Sequence, residues 1–180
     1  MDLLTAILGL LSWKPSSGYD LKRIISDSDI FYWSGNNNQI YKSLLELQKD
    51  GLVSHQVQLQ ESLPAKKVYS ITEKGLAALR QNLLESPDLP ELHKSFLIQL
   101  AWAEALTDEE ILALMDLYAD EVAIRLRMYQ AQAARTDRSP GRSKREQFLW
   151  KRIWENLIAA YQTELDWVTQ TQQEFRTGKF

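Results

Sequence analysis

Residues 34–60, SGNNNQIYKSLLELQKDGLVSHQVQLQ, change periodicity partway along, and that change decides the fold. On a helical wheel of about 100° per residue, Leu44 and Leu47 fall within about 40° of Ile40, giving one narrow apolar stripe. The opposite side holds Asn38, Lys42 and Lys49, flanked by Tyr41 and Leu45. Such a helix buries one face and presents a polar, basic one. It stops at Asp50-Gly51, since glycine is the usual residue past a helix C-terminus. Val53, His55, Val57 and Leu59 then alternate with Ser54, Gln56, Gln58 and Gln60, the period of a half-exposed strand. In the asparagine run, Asn36 suits an N-cap, and its neighbours are either solvated or functional. Asparagine can bond N6 and N7 of adenine and lysine can reach guanine or phosphate, so Asn38 and Lys42 are candidates for the major groove. Asn37 lies nearer the core side, where it would position the helix.

Downstream, residues 61–65 contain Pro64 and supply a turn. Residues 66–72 read as a return strand, with Lys67, Tyr69 and Ile71 on one side and Val68 and Ser70 on the other. Lys66 and Lys67 then sit near the tip of a hairpin. A lysine pair in a turn is often only solvated, but beside a polar recognition helix it suits phosphates or the minor groove. Upstream, residues 2–12 form an apolar helix that ends before Lys14-Pro15, because proline disfavours helix at the residue before it. Ser17-Gly-Tyr-Asp20 fits a capping box and opens a second helix with Leu21, Ile24 and Ile25 on one side. Tyr19 and Lys22, near that helix start, are candidate phosphate contacts. An apolar stretch, residues 30–33, precedes the asparagines. Thr72 caps a fourth helix with Leu76, Leu79 and Leu83, ending before Ser86-Pro87. Three helices, a hairpin and a helix make a winged helix-turn-helix over residues 1–86, with SPDLPE as the boundary.

Residues 87–180 read as all-helical, so the chain as a whole is mainly α with one small β-hairpin. Leu92, Phe96 and Leu100 mark one helix. Thr107-Asp-Glu-Glu110 is a second capping box, before a run of Ile111, Met115, Tyr118, Val122, Leu126 and Tyr129. After a break at RTDRSPGRS, a long helix holds Trp150, Trp154, Leu157, Tyr161, Leu165 and Val168 at heptad-like spacing. That seam wants a partner helix, and a second copy of the chain would supply it, making this half a dimerisation domain. Six tryptophans are many for the length. At helical spacing they serve a core or a dimer contact, while Trp102, Trp150 and Trp154 are also candidates to wall a cavity for a flat aromatic effector. Residues 135–152 hold seven basic and two acidic side chains, either a solvated face or a contact with flanking DNA.

Composition excludes several function classes. The chain has 180 residues, 44% apolar and 25% charged, as ordinary globular proteins do. It has no cysteine, which removes disulfides, thiol nucleophiles and cysteine-type zinc sites and points to the cytoplasm. The N-terminal apolar run lacks a basic flank, and no stretch is long enough to span a bilayer, so no membrane role is expected. The two histidines, His55 and His93, have no metal-ligand spacing, and neither a phosphate loop nor a nucleophile elbow occurs. An enzyme is not expected, nor is a cofactor or metal. The chain's net charge is −3, and residues 1–85 hold nine basic and nine acidic side chains. DNA binding must therefore be local, and a winged helix acting as a protein-interaction module without specific DNA binding is the alternative.

SGYDLKR, FYW, NQIYKSLLELQKDGLV and PAKKVYSITEKG, in that order, resemble the PadR family of bacterial transcriptional regulators across most of residues 3–84. HKSFLIQLAWAEALTDEE and the long last helix resemble the helical C-terminal region of its longer members. The resemblance implies a homodimer whose C-terminal helices embrace the partner, placing two winged helices on a pseudo-palindromic operator of double-stranded DNA. It further implies a repressor released by a small molecule, often phenolic or otherwise aromatic. By the same resemblance the recognition helix is residues 36–49, with Tyr41 and Lys42 facing DNA, and the wing tip contains Lys66 and Lys67. Two positions depart from the family: Asn36 stands where serine or threonine is common, and Asn82, near the domain junction, where tryptophan is.

Overall fold

The computed structural model describes residues 3–28, 38–58, 66–87, 89, 94–135 and 141–179. Leu3, Ile7, Leu8, Leu10 and Leu11 are all buried, so α1 (Leu3–Trp13) is apolar around most of its circumference. It forms the centre of the first of two compact units, Met1–Pro90 and Glu91–Phe180. Around it pack α3 (Asn38–Lys49), the sheet and α4 (Glu73–Asn82). Ser17 caps α2 (Gly18–Ser26) by accepting a hydrogen bond from the Asp20 amide, as the capping-box spacing predicts. The predicted stretch 30–33, residues Asn36 and Asn37, and the turn 61–65 lie outside the described residues.

The hairpin is β2 (Val53–Gln58) and β3 (Lys66–Ile71), antiparallel, with Val53 opposite Ile71 and Gln58 opposite Lys66. A third strand went unread in the sequence: β1 (Ser16–Ser17) pairs with Tyr69 and Val68, giving the order β1-β3-β2. Two serines carry no alternation, so only the tertiary pairing makes them a strand. Gly51 takes a left-handed φ of 71°, which lets α3 turn directly into β2. α4 forms with Thr72 as its cap, but only part of its leucine set is covered. Leu76 and Leu83 are exposed, and what α4 buries is Gly75, with Ala78 and Leu79 against the core.

In the second unit, α5 (Ser95–Ala101) and a short 3-10 turn (Ala103–Ala105) lead to α6 (Asp108–Ala133), which pairs antiparallel with α7 (Lys144–Arg176). Thr107 and Glu110 form the reciprocal capping box at the start of α6. Phe96, Ala103, Ile111, Met115 and Val168 make the core, with the Phe96 ring stacked on Tyr118 at 3.7 Å. The α7 seam faces α6 of its own chain: Tyr129 meets Trp154 at 6.4 Å and Tyr161 at 5.1 Å, and Val168 is fully buried. With 26 residues, α6 is about 39 Å long and covers most of a seam that seemed from sequence to need a second copy. A different stripe of α7 stays exposed, Leu149, Ile153 and Trp167. Among the described residues, no helix is long and apolar enough to cross a membrane.

Candidate nucleic-acid interface

The two faces of α3 differ as its periodicity predicts. Ile40, Leu44 and Leu47 are buried, while Asn38, Tyr41, Lys42, Leu45 and Lys49 are exposed. The helix is seated from behind by its apolar stripe, so the outward residues are held by rigid packing rather than by a loop. Asn38 stands in its first described turn. Asn37 is outside the described residues.

Close contact with α2 sets the position of Tyr41. A Cβ at Gly18 would lie 2.6 Å from the Tyr41 ring, so glycine lets the start of α2 approach this side chain without displacing the ring. Beside it Tyr19 is 63% exposed, whereas Lys22 is half-buried. The sequence singled out Tyr41 for its outward position, and nothing in the spacing of SGYD signalled that Gly18 serves Tyr41.

The two lysines of β3 differ in environment. Lys66 donates to the Asp20 carboxylate at 3.0 Å, and the same carboxylate oxygen accepts the Ser17 hydroxyl at 2.7 Å. The Ser17 and Lys66 hydrogen bonds outweigh burial and hold the Asp20 carboxyl below the usual carboxylate range. Lys67, opposite Val57, is exposed and makes no ion pair among the described residues. Asp20 is the participant that sequence reading missed. Its role as a cap was legible, but its partner lies 46 residues away.

The base of the hairpin is closed by Thr72. Its hydroxyl donates toward the Gly51 carbonyl at 2.8 Å and the Leu52 carbonyl at 3.1 Å, and accepts from the Gly75 amide at 3.1 Å. Lys74 caps the end of α3 through the Asp50 carbonyl at 2.7 Å. Below the strands, burial pushes the Tyr69 hydroxyl pKa up, and its ring lies 5.7 Å from His55.

The tryptophan set divides. Trp150 and Trp154 line a groove of about 600 Å³ at the connected end of the α6/α7 hairpin, together with Arg135, Gln147, Lys151 and Ile158. Trp102 is 76% exposed at the end of α5 and does not line it. It belongs to the other end of α6, roughly 30 Å away along the helix. Part of the basic run is paired locally: Arg142 with Glu146 at 2.6 Å, and Arg152 and Lys151 with Glu155 at 2.6 and 3.7 Å. Among the described residues, no cluster of three His, Asp or Glu could hold a metal.

Comparison with known proteins covers both units. The model of the "Transcriptional regulator PadR-like family" matches residues 7–81, and that of "Virulence activator alpha C-term" matches residues 93–176. The chain is 30% identical over 118 residues to the negative transcriptional regulator PadR of Bacillus subtilis. That alignment covers 65% of this chain and 63% of the relative, so the chain matches less than two thirds of the relative's length. Its fold is similar to that of Bacillus subtilis PadR in complex with operator DNA, with a TM-score of 0.83 at 22% identity over 96% of this chain and 98% of the other. It is similar also to Bacillus subtilis PadR in complex with p-coumaric acid, with a TM-score of 0.75 at 21% identity over 97% and 95%.

Proposed function

We propose that the chain is a PadR-like transcriptional regulator that binds a specific double-stranded operator through α3 and represses transcription from it. The observation that supports this most is the exposed stripe of Asn38, Tyr41 and Lys42 opposite a fully buried Ile40, Leu44 and Leu47. Such a helix fits the major groove, with Tyr19 at the start of α2 and Lys67 on the wing facing phosphates. Titration of the protein with its own upstream DNA over a range of salt tests this. Specific binding that weakens steeply with salt is expected, and salt-independent or absent binding overturns the reading.

The balance of nine basic and nine acidic side chains in residues 1–85 favours one other reading, a wing that docks a protein. The same titration separates the two, because a protein-docking wing leaves DNA unbound.

The operator-bound form is proposed to be a homodimer in the cytoplasm, assembled through the C-terminal unit. Support for this comes from α7, where Leu149, Ile153 and Trp167 remain exposed after α6 is packed. A small planar aromatic ligand is proposed to release DNA, by analogy with the p-coumaric acid complex of the Bacillus subtilis protein. The groove at Trp150 and Trp154 is its candidate site. Saturable quenching of tryptophan fluorescence coupled to loss of operator binding is the expected signal, because an effector must favour one state differentially.

A further inference from the structure

The ion pair between the wing and α2 has a consequence for DNA binding that neither residue alone would suggest. Lys66 opens β3, and Asp20 lies in the first turn of α2, next to the exposed Tyr19. The Asp20 carboxylate oxygen that accepts the Lys66 ammonium at 3.0 Å also accepts the Ser17 hydroxyl at 2.7 Å. Ser17 is itself fixed on both sides, by its pairing with Val68 in the sheet and by the Asp20 amide at 3.2 Å. Lys66 is therefore bonded to a carboxylate that is held in place from two directions.

We propose that Asp20 withholds Lys66 from DNA phosphates, so that Lys66 clamps the wing to α2 and Lys67 alone makes the wing's phosphate contact. This rests on the DNA-binding reading given above. A lysine releases a counterion from DNA only if its charge meets a phosphate. Lys66 could do so in two ways: by exchanging Asp20 for the phosphate, or by bringing a carboxylate against the backbone with it. The first leaves an uncompensated anion beside the DNA, and the second adds a like-charge repulsion at close range. Lys67, the next residue, points to the other side of the strand and has no such competitor among the described residues. In residues 1–85, whose charges balance, one lysine more or less changes the salt response measurably.

The test is the slope of log affinity against log salt for the full chain on operator and on scrambled DNA. Lys67→Ala is expected to flatten the slope by about 0.9 per subunit, and Lys66→Ala to leave it at the wild-type value. Asp20→Asn is expected to free Lys66, steepening the slope by about 0.9 per subunit and tightening binding to scrambled DNA. Adding Lys66→Ala to Asp20→Asn should restore the wild-type slope. If Lys66→Ala flattens the slope as Lys67→Ala does, Lys66 is a phosphate contact and the proposal is wrong. It is equally wrong if Asp20→Asn folds and leaves the slope unchanged, since Lys66 is then out of reach whatever Asp20 does. Should Asp20→Asn not fold, the two lysine variants decide. If the wild-type chain shows no salt-dependent binding to either DNA, the DNA-binding reading falls first and this inference with it.

Discussion

Gly75 shows how much a single missing side chain can matter. A Cβ there would lie 2.1 Å from the Leu52 carbonyl oxygen, a backbone atom with little freedom to move. Gly75→Ala is expected to cost about 3 kcal/mol or more of stability, read from the denaturant midpoint. Gly9 in α1 has nothing within 4 Å of the same position, so Gly9→Ala should stabilise by roughly 0.5–1 kcal/mol. Equal effects at the two sites would refute the steric account. The sequence disclosed Thr72 as a cap because capping is local. It was silent on Gly75, whose constraint comes from a chain segment more than twenty residues away. Asn82 makes the same point. It stands where the family often has tryptophan, near the domain junction, yet its amide donates to the buried Thr5 hydroxyl at 2.9 Å within the first unit. At the DNA face, Asn38→Ala is expected to cost on the order of 1–3 kcal/mol on operator and little on scrambled DNA. A loss of helix stability with an unchanged ratio of the two affinities would reduce Asn38 to a helix start.

Among the elements, those with strong periodicity were read with their register, and those without were not. α3, β3 and α6 follow from the sequence pattern, whereas β1 needs its partner strand, Val57 on the expected apolar face of β2 is exposed, and of the α4 leucines Leu79 alone packs against the core. The seam of α7 was legible, but which helix it would meet was not, because periodicity specifies a face and says nothing about what covers it. In the folded chain α6 covers it and adds polar ties. Glu164 of α7 accepts from Lys94 and from the Tyr118 hydroxyl at 2.7 Å, and Asp116 of α6 accepts from Gln172 at 2.7 Å and Arg176 at 3.1 Å. Burial works to raise the Glu164 pKa, but the bonds from Lys94 and Tyr118 together bring it below the ordinary 4.5. A carboxylate with a depressed folded pKa adds stability that is present above its unfolded value and lost as pH falls through the folded one. The second unit should therefore lose stability below about pH 4.5. Glu164→Gln should remove about 1–2 kcal/mol at neutral pH and flatten that acid limb, measured by thermal melts across pH. An unaltered acid limb would place the titration elsewhere.

At the scale of the whole molecule, the sequence disclosed a winged helix-turn-helix and a helical second half, and assigned to a second copy the seam from Trp150 to Val168 that packs within the chain's own second unit. That could not be read because α7 has two apolar faces, and only folding shows which one α6 takes. Ile153→Glu on the uncovered face is expected to convert the proposed dimer to monomer in sedimentation while leaving the helical content of the second unit unchanged. A variant that stays dimeric would move the interface off this stripe. A last consequence concerns synthesis, and it follows from the central position of α1. Its buried leucines and isoleucine pack against α3, β3 and α4, so within the unit α1 is synthesised before all three of these partners, the last of which is α4. At a typical ribosomal rate, the interval between Leu3 and Asn82 is on the order of ten seconds, and until α4 is made the native cover of α1 is incomplete. Slow codons between positions 14 and 82 should therefore lower soluble yield with no change in the protein at all, which pulse-labelling of the soluble fraction would register.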